Sequence, residues 1–214
     1  MLAPIGLFST RRRFSMLISL LAAVAFTDDC QKGRVEQGVS DQEKDVITGK
    51  HNEVRSMIAH GEVEGQPKGT NLKRLVWDDA LAAAAQDIAN TCVFAHVGVT
   101  DGRWSWVGQN LYQWSGWNSA GPENVAAGAD WDSAVMSWFN EYKDYHYPDS
   151  SSDNTGHYTQ VVWADTEVVG CGYAAYVTNE DWKNKFYVCN YGPGGNWAGQ
   201  APYEAGDSGC EDLC

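Results

Sequence analysis

An α+β domain is what this sequence predicts. Capped stretches of helical periodicity come first, strand-like runs joined by a polar turn come after them, and six cysteines offer staples. Ser40-Asp41-Gln42-Glu43 is a capping box, with Ser40 as N-cap and Glu43 three residues on. Ile47, His51, Val54 and Ile58 then recur at helical spacing until Gly61 ends the run. A loop from Gly61 to Thr70 leads to a second helix opened by Asp78 or Asp79. Leu81, Ala85, Ile88, Cys92 and His96 form its apolar stripe, so Cys92 and His96 are expected on its buried side. Its alanines predict close packing against a neighbour.

Residues 97–129 carry Trp104, Trp106, Trp114 and Trp117, four of the ten tryptophans, which either roof a core or line an apolar groove. Asp130 to Tyr145 reads as a third helix with Ala134, Trp138, Glu141 and Tyr145 on one line. The run TGHYTQVVW at 155–163 alternates like a strand, with His157, Thr159, Val161 and Trp163 on one face. Two more strands, Gly170 to Val177 and Lys185 to Tyr191, flank a turn near Asn179 to Asn184. They place Cys171 and Cys189 where a cross-strand disulfide fits.

The N-terminus reads as a signal peptide over residues 1–25. Arg11, Arg12 and Arg13 precede an apolar run from Phe14 to Phe26, and Ala23-Val24-Ala25 supplies the small-x-small cleavage pattern. At roughly 13 residues the run is shorter than the about 20 needed to span a bilayer. The expectation is a secreted, extracellular protein with no membrane span. Losing three arginines and no acid would move the formal charge from −13 to −16, which excludes nucleic acid and anionic membranes as natural partners. All six cysteines, Cys30, Cys92, Cys171, Cys189, Cys210 and Cys214, follow the leader. In an exported chain they read as three disulfides rather than a thiolate metal site, with connectivity left open by counting.

GHYTQVVW at 156–163, VGCGYAAY at 169–176 and YVCNYGPGGNW at 187–197 resemble the signature motifs of the CAP superfamily, the group of cysteine-rich secretory, antigen five and plant pathogenesis-related proteins. HNEVR at 51–55, LVWDDALAAAAQDIANTC at 75–92 and VGQNLY at 107–112 extend the likeness, which is nearest to antigen five-like members. The resemblance implies a three-layer α-β-α sandwich stapled by disulfides. It also implies a CAP domain over residues 40–204, preceded by an N-terminal segment at 26–39 and followed by a short hinge-like tail at 205–214. It implies Cys30–Cys92 and Cys171–Cys189 bridges, worth about 4 and about 3 kcal/mol on the chain-entropy model, and leaves Cys210 to pair with Cys214.

The family's cleft holds two histidines and two acids. By motif these fall on His96, His157 and Glu141, while the second acidic position matches Gln109. Two imidazoles and a carboxylate can hold Zn2+ or another divalent cation, weakly here because glutamine is a poor ligand. Glutamine is also no general base, so a hydrolase reading rests on Glu141 alone. Three readings stand: a structural polar network over His96, Gln109, Glu141 and His157, a metal site on His96 and His157, or hydrolysis using Glu141. A G-x-S-x-G elbow is missing, and Ser151, Ser152 and Asp153 lie in a polar loop, so a serine triad is disfavoured. His51 reads as a packing residue, and His60 and His146 as solvated. CAP relatives that bind sterols or fatty acids make Trp104, Trp106, Trp114 and Trp117 candidates for an apolar ligand site. A binding or effector protein with a lipid or sterol-like ligand, or an extracellular protein partner, is the expectation. A metal- or His/Glu-assisted hydrolase and a defence module with a structural cleft are the alternatives.

Overall fold

Helix α1 spans Asp41–His60, and the capping box forms as its residues dictate: Ser40 Oγ accepts from Glu43 N while Glu43 accepts from Ser40 N. Gly61 closes it in the left-handed conformation at φ 72°, which a glycine adopts without steric cost. Ile47, His51, Val54 and Ile58 are all buried. The computed structural model describes residues 33–117, 128–149, 152, 154–178 and 182–214. The leader, Cys30, Ser151 and Asp153 lie outside the described residues.

The remaining elements are strand β1 (Arg34–Gln37), β2 (Val76–Trp77), helix α2 (Asp79–Ala89), β3 (Gly108–Trp117), helix α3 (Trp131–Phe139), a 3-10 turn (Asn140–Lys143), helix α4 (Gly156–Val161), β4 (Val168–Thr178) and β5 (Trp182–Gly192). The sheet order is β1-β4-β5-β3, antiparallel throughout, with the two-residue β2 alongside β4 in parallel.

Strand alternation sorts β4 and β5 into two cores. Val169, Cys171, Tyr173 and Ala175 with Tyr187, Cys189 and Tyr191 meet α1, α3 and α4. Ala174, Tyr176, Phe186 and Val188 meet Ala85, Ile88 and Ala89 of α2. Helices on both faces of one sheet make the three-layer sandwich. The alanines of α2 do allow the close approach expected of them: a Cβ on Gly172 would lie 2.3 Å from Gln86 N. Gln86 then pairs its amide with Tyr173 N and O at 3.0 and 2.9 Å. Cys171 and Cys189 are direct cross-strand partners and form a disulfide, as do Cys210 and Cys214. Cys92 is disulfide-bonded as well. Among the described residues no helix is long and apolar enough to cross a membrane.

Three sequence expectations are corrected, and one strand is added to them. Residues 156–161 form a helix rather than a strand. Glu141 accepts from the first free N–H groups of α4, while Arg55 donates to Val161 O and Trp163 O at its end. These distant side chains override the two-residue alternation. The second helix ends at Ala89, because Thr91 Oγ1 binds Ile88 O and Cys92 turns left-handed at φ 55°. His96 therefore sits exposed on a loop beyond the helix instead of on its buried stripe. The third helix stops at Phe139 and tightens into the 3-10 turn, whose three residues per turn rotate Glu141 off the α3 stripe toward α4. The tryptophan-rich stretch contains strand β3, hidden from a periodicity reading by its polar Gln109, Asn110 and Gln113.

Candidate functional site

Gln109, at the start of β3, behaves as a peptide group in a side chain. Its Oε1 accepts from Val97 N at 3.1 Å and its Nε2 donates to Val97 O at 3.1 Å, so the 96–97 loop is held as a strand partner would hold it. The same Nε2 donates to Asn190 Oδ1 at 3.0 Å. These bonds fix the amide's orientation. His96 Nδ1, 2.9 Å from Oε1, must then carry the proton, which leaves its Nε2 as a lone pair.

Glu141 does the corresponding work for the second ring. Oε1 lies 2.6 Å from His157 Nδ1, and Oε2 accepts from His157 N at 3.0 Å and Tyr158 N at 3.1 Å. The carboxylate thus caps α4 and orients the imidazole with Nε2 free, the pattern by which carboxylates position ligand or catalytic histidines. Trp138 stacks against the ring, centroids 6.4 Å apart at 29°. No hydrogen bond from a described residue reaches Nε2 of either histidine.

Both rings line one cavity of about 330 Å3 with Gln109, Asn110, Ser152 and Asn196. His96 and Gln109 also line an adjoining apolar cavity of about 240 Å3 with Val97, Trp106 and Asn196. Among the described residues no group of three or more His, Cys, Asp and Glu side chains is placed to hold a metal ion. Both Glu141 oxygens are engaged by donors, so the carboxylate serves the ring and the start of α4 rather than an open ligand position. For proton transfer, His157 Nε2 is the accessible base and Glu141 its orienting partner.

The tryptophans divide. Trp106 is 49% exposed at the cavity rim, Trp104 lies under Arg103 with the guanidinium 4.2 Å from its ring, and Trp114 is 43% exposed on β3. The Trp117 side chain lies outside the described residues. Ser152 and Asn196 were missed as cavity residues. Asn196, left-handed at φ 63°, accepts from Thr159 Oγ1 at 2.7 Å and donates to Gly156 O at 2.8 Å. Its motif offered the only hint.

Behind the cleft runs a buried relay. Asn110 donates to His157 O at 3.1 Å and to Tyr191 Oη at 3.4 Å, Tyr191 Oη lies 2.9 Å from His51 Nε2, and His51 Nδ1 donates to Ile47 O at 2.8 Å. Burial, aided by the nearby Arg55 charge, pushes His51 down to about 4, so the folded protein keeps it neutral where an unfolded chain with a pKa of 6.5 protonates it. Stability from this group is complete above 6.5 and is lost as pH falls from 6.5 through about 4. The loss should be on the order of 3 kcal/mol. Unfolding free energies of wild type and His51→Gln between pH 7 and 4 check it, because the variant should lose this part of the slope.

A two-histidine cleft beside a sheet with helices on both faces is the arrangement of a CAP domain. A model of the cysteine-rich secretory protein family, CAP, matches residues 48–191. Salivary antigen-5 of Dipetalogaster maximus is 43% identical over 166 residues, covering 75% of this chain and 65% of that protein. Venom allergen 5 of Vespula maculifrons is 40% identical over 179 residues, covering 79% of this chain and 75% of that one. Among solved structures, BmVAL-1 superposes with a TM-score of 0.65 at 29% identity, over 83% of this chain and 87% of its own. NaASP2, crystallised with Zn2+, gives 0.63 at 25% identity, over 82% of this chain and 91% of its own. The chain belongs to the cysteine-rich secretory protein family, and within it resembles the antigen-5 and venom allergen proteins.

Proposed function

We propose that this protein is an extracellular effector that works by binding, with a ligand held across the polar and apolar halves of the cleft. One observation carries this reading: the hydrogen-bonding groups of Gln109 and Glu141 are consumed in holding the cleft, leaving two ring nitrogens beside the apolar rim of Val97 and Trp106. An apolar molecule with a polar head, lipid- or sterol-like, suits that surface, and a protein partner presenting an apolar side chain is the other candidate. The salivary and venom origins in the relatives' names support secretion.

A divalent cation bound weakly between His96 and His157 belongs to the same reading, and the Zn2+ in the NaASP2 structure supports it. Two nitrogens with solvent form an incomplete shell for zinc, so affinity is expected to be low. Organic extraction and mass spectrometry of the purified protein should reveal a carried apolar molecule that Trp106→Ser loses. Zinc titration should saturate in wild type and vanish in His96→Ala/His157→Ala. A clean extract together with equal zinc binding in both proteins would remove the reading. The 2.6 Å His157–Glu141 contact favours hydrolysis, with His157 as base, as a second reading.

A further inference from the structure

Three unpaired acceptors line the cleft. Nε2 of His96 and Nε2 of His157 are lone pairs, because Gln109 and Glu141 hold the two Nδ1 protons. Asn110 supplies the third. It is 1% exposed, lines the same cavity, and spends its amide nitrogen on His157 O at 3.1 Å and Tyr191 Oη at 3.4 Å. Those bonds fix the amide, and no hydrogen bond from a described residue reaches its Oδ1. A buried oxygen left without a donor is satisfied by whatever enters the cavity. Among the described residues no Lys or Arg lines this cavity or the apolar one beside it, and Glu141 sets a negative charge behind the His157 ring. The complement is a cation rich in N–H donors, and an anion would meet three lone pairs.

The apolar side of the cleft extends beyond Trp106. The cavity that holds Val97 and Trp106 meets a third one, of about 240 Å3, between Trp106 and Trp197, and Gly195 and Asn196 belong to both. Trp106 and Trp197 are 49% and 45% exposed, so both indoles have ring surface open to a ligand. One glycine anchors them. Gly194 N donates to Trp106 O at 2.9 Å, a Cβ on Gly194 would lie 2.4 Å from Trp106 Cδ1, and Trp197 Nε1 donates to Gly194 O at 3.2 Å. A track therefore leads from three acceptors past two fixed aromatic side chains, which suits a polar head on an apolar tail.

We propose that the cleft binds a primary alkylammonium ion, with its N–H groups donating to His96 Nε2, His157 Nε2 and Asn110 Oδ1 and its chain lying along Trp106 and Trp197. The inference rests on the binding reading above and adds the chemistry of the head group and the course of the tail. A primary ammonium brings three donors to three acceptors, whereas a hydroxyl brings one and a quaternary ammonium none.

Calorimetric titration of the full chain, after treatment with a chelator, tests it with octylammonium beside octanol, octyltrimethylammonium and butylammonium. Saturable binding of octylammonium is expected, at least about tenfold tighter than each of the other three. Trp197→Ser and His96→Ala should each weaken it about five- to tenfold. Both side chains are exposed, so the variants should keep wild-type melting temperatures. Octanol or octyltrimethylammonium binding as tightly as octylammonium, or His96→Ala binding it as tightly as wild type, would overturn the head-group assignment and leave the apolar cleft in place. Undiminished affinity in Trp197→Ser would overturn the course of the tail. Absence of saturable binding by both octylammonium and octanol would remove the binding reading as well.

Discussion

Arg55→Met should destabilise the fold by on the order of 5 kcal/mol and lower its melting temperature by about 10–20 °C. Arg55 is fully buried on α1, and its guanidinium donates to five backbone carbonyls: Lys73 at 2.8 Å, Val161 at 3.0 Å, Trp163 at 2.8 Å, and Ala164 and Thr166 at 3.4 Å. Of the carbonyls that follow α4, Trp163 O also accepts from Thr166 N at 3.2 Å, and Arg55 supplies the side-chain donor to the others, so one side chain closes most of a turn. Methionine fills much of the volume but donates nothing, and each stranded carbonyl costs about 1–3 kcal/mol. Chemical denaturation followed by circular dichroism measures the change. A variant within 1 kcal/mol of wild type would mean that water reaches these carbonyls, and that Arg55 is a filler rather than a cap.

Two substitutions at Glu141 should have different effects. Glu141→Ala strands His157 N, Tyr158 N and His157 Nδ1 together, an expected loss of about 2–4 kcal/mol, because α4 has no other N-terminal acceptor. Glu141→Gln can keep one oxygen on the two backbone N–H groups while presenting its NH2 to the ring. His157 Nδ1 must then accept, the proton moves to Nε2, and the lone pair facing the cavity disappears. Glu141→Gln is thus expected to retain most of the stability and still weaken zinc binding by about 10–100-fold. Nitrogen chemical shifts of His157 report the tautomer directly. An unchanged tautomer in Glu141→Gln would remove the orienting role assigned here.

Much of the fold was legible because it is written in local periodicity. Ser40 and Glu43 cap α1 through bonds to their own neighbours, Gly61 ends it through its own conformational freedom, and the alternation in β4 and β5 assigns side chains to two faces. The second helix was placed correctly up to Ala89. Beyond it the apolar spacing of Cys92 and His96 continued by coincidence, while Thr91 and the left-handed Cys92 had already turned the chain. β3 was hidden for the opposite reason: its side chains serve amide networks, so hydrophobic alternation is absent. Gln109 was recognised as a departure from an acidic position. Its use as a peptide mimic against Val97 depends on a loop 12 residues earlier, which no spacing rule encodes.

By itself the sequence determined the family, the layer composition, the caps of α1, the 171–189 staple and which four side chains share the cleft's motifs. All of these follow from short-range patterns or from long motifs. Only the tertiary structure decided that residues 156–161 wind into a helix, since its two ends are satisfied by Glu141 and by Arg55, the latter more than 100 residues away in sequence. Local propensity for an extended strand lost because a six-residue helix with both termini capped leaves fewer buried polar groups unpaired than a strand would in that place. The direction of the two Nε2 lone pairs was decided the same way, by hydrogen bonds on the far side of each ring.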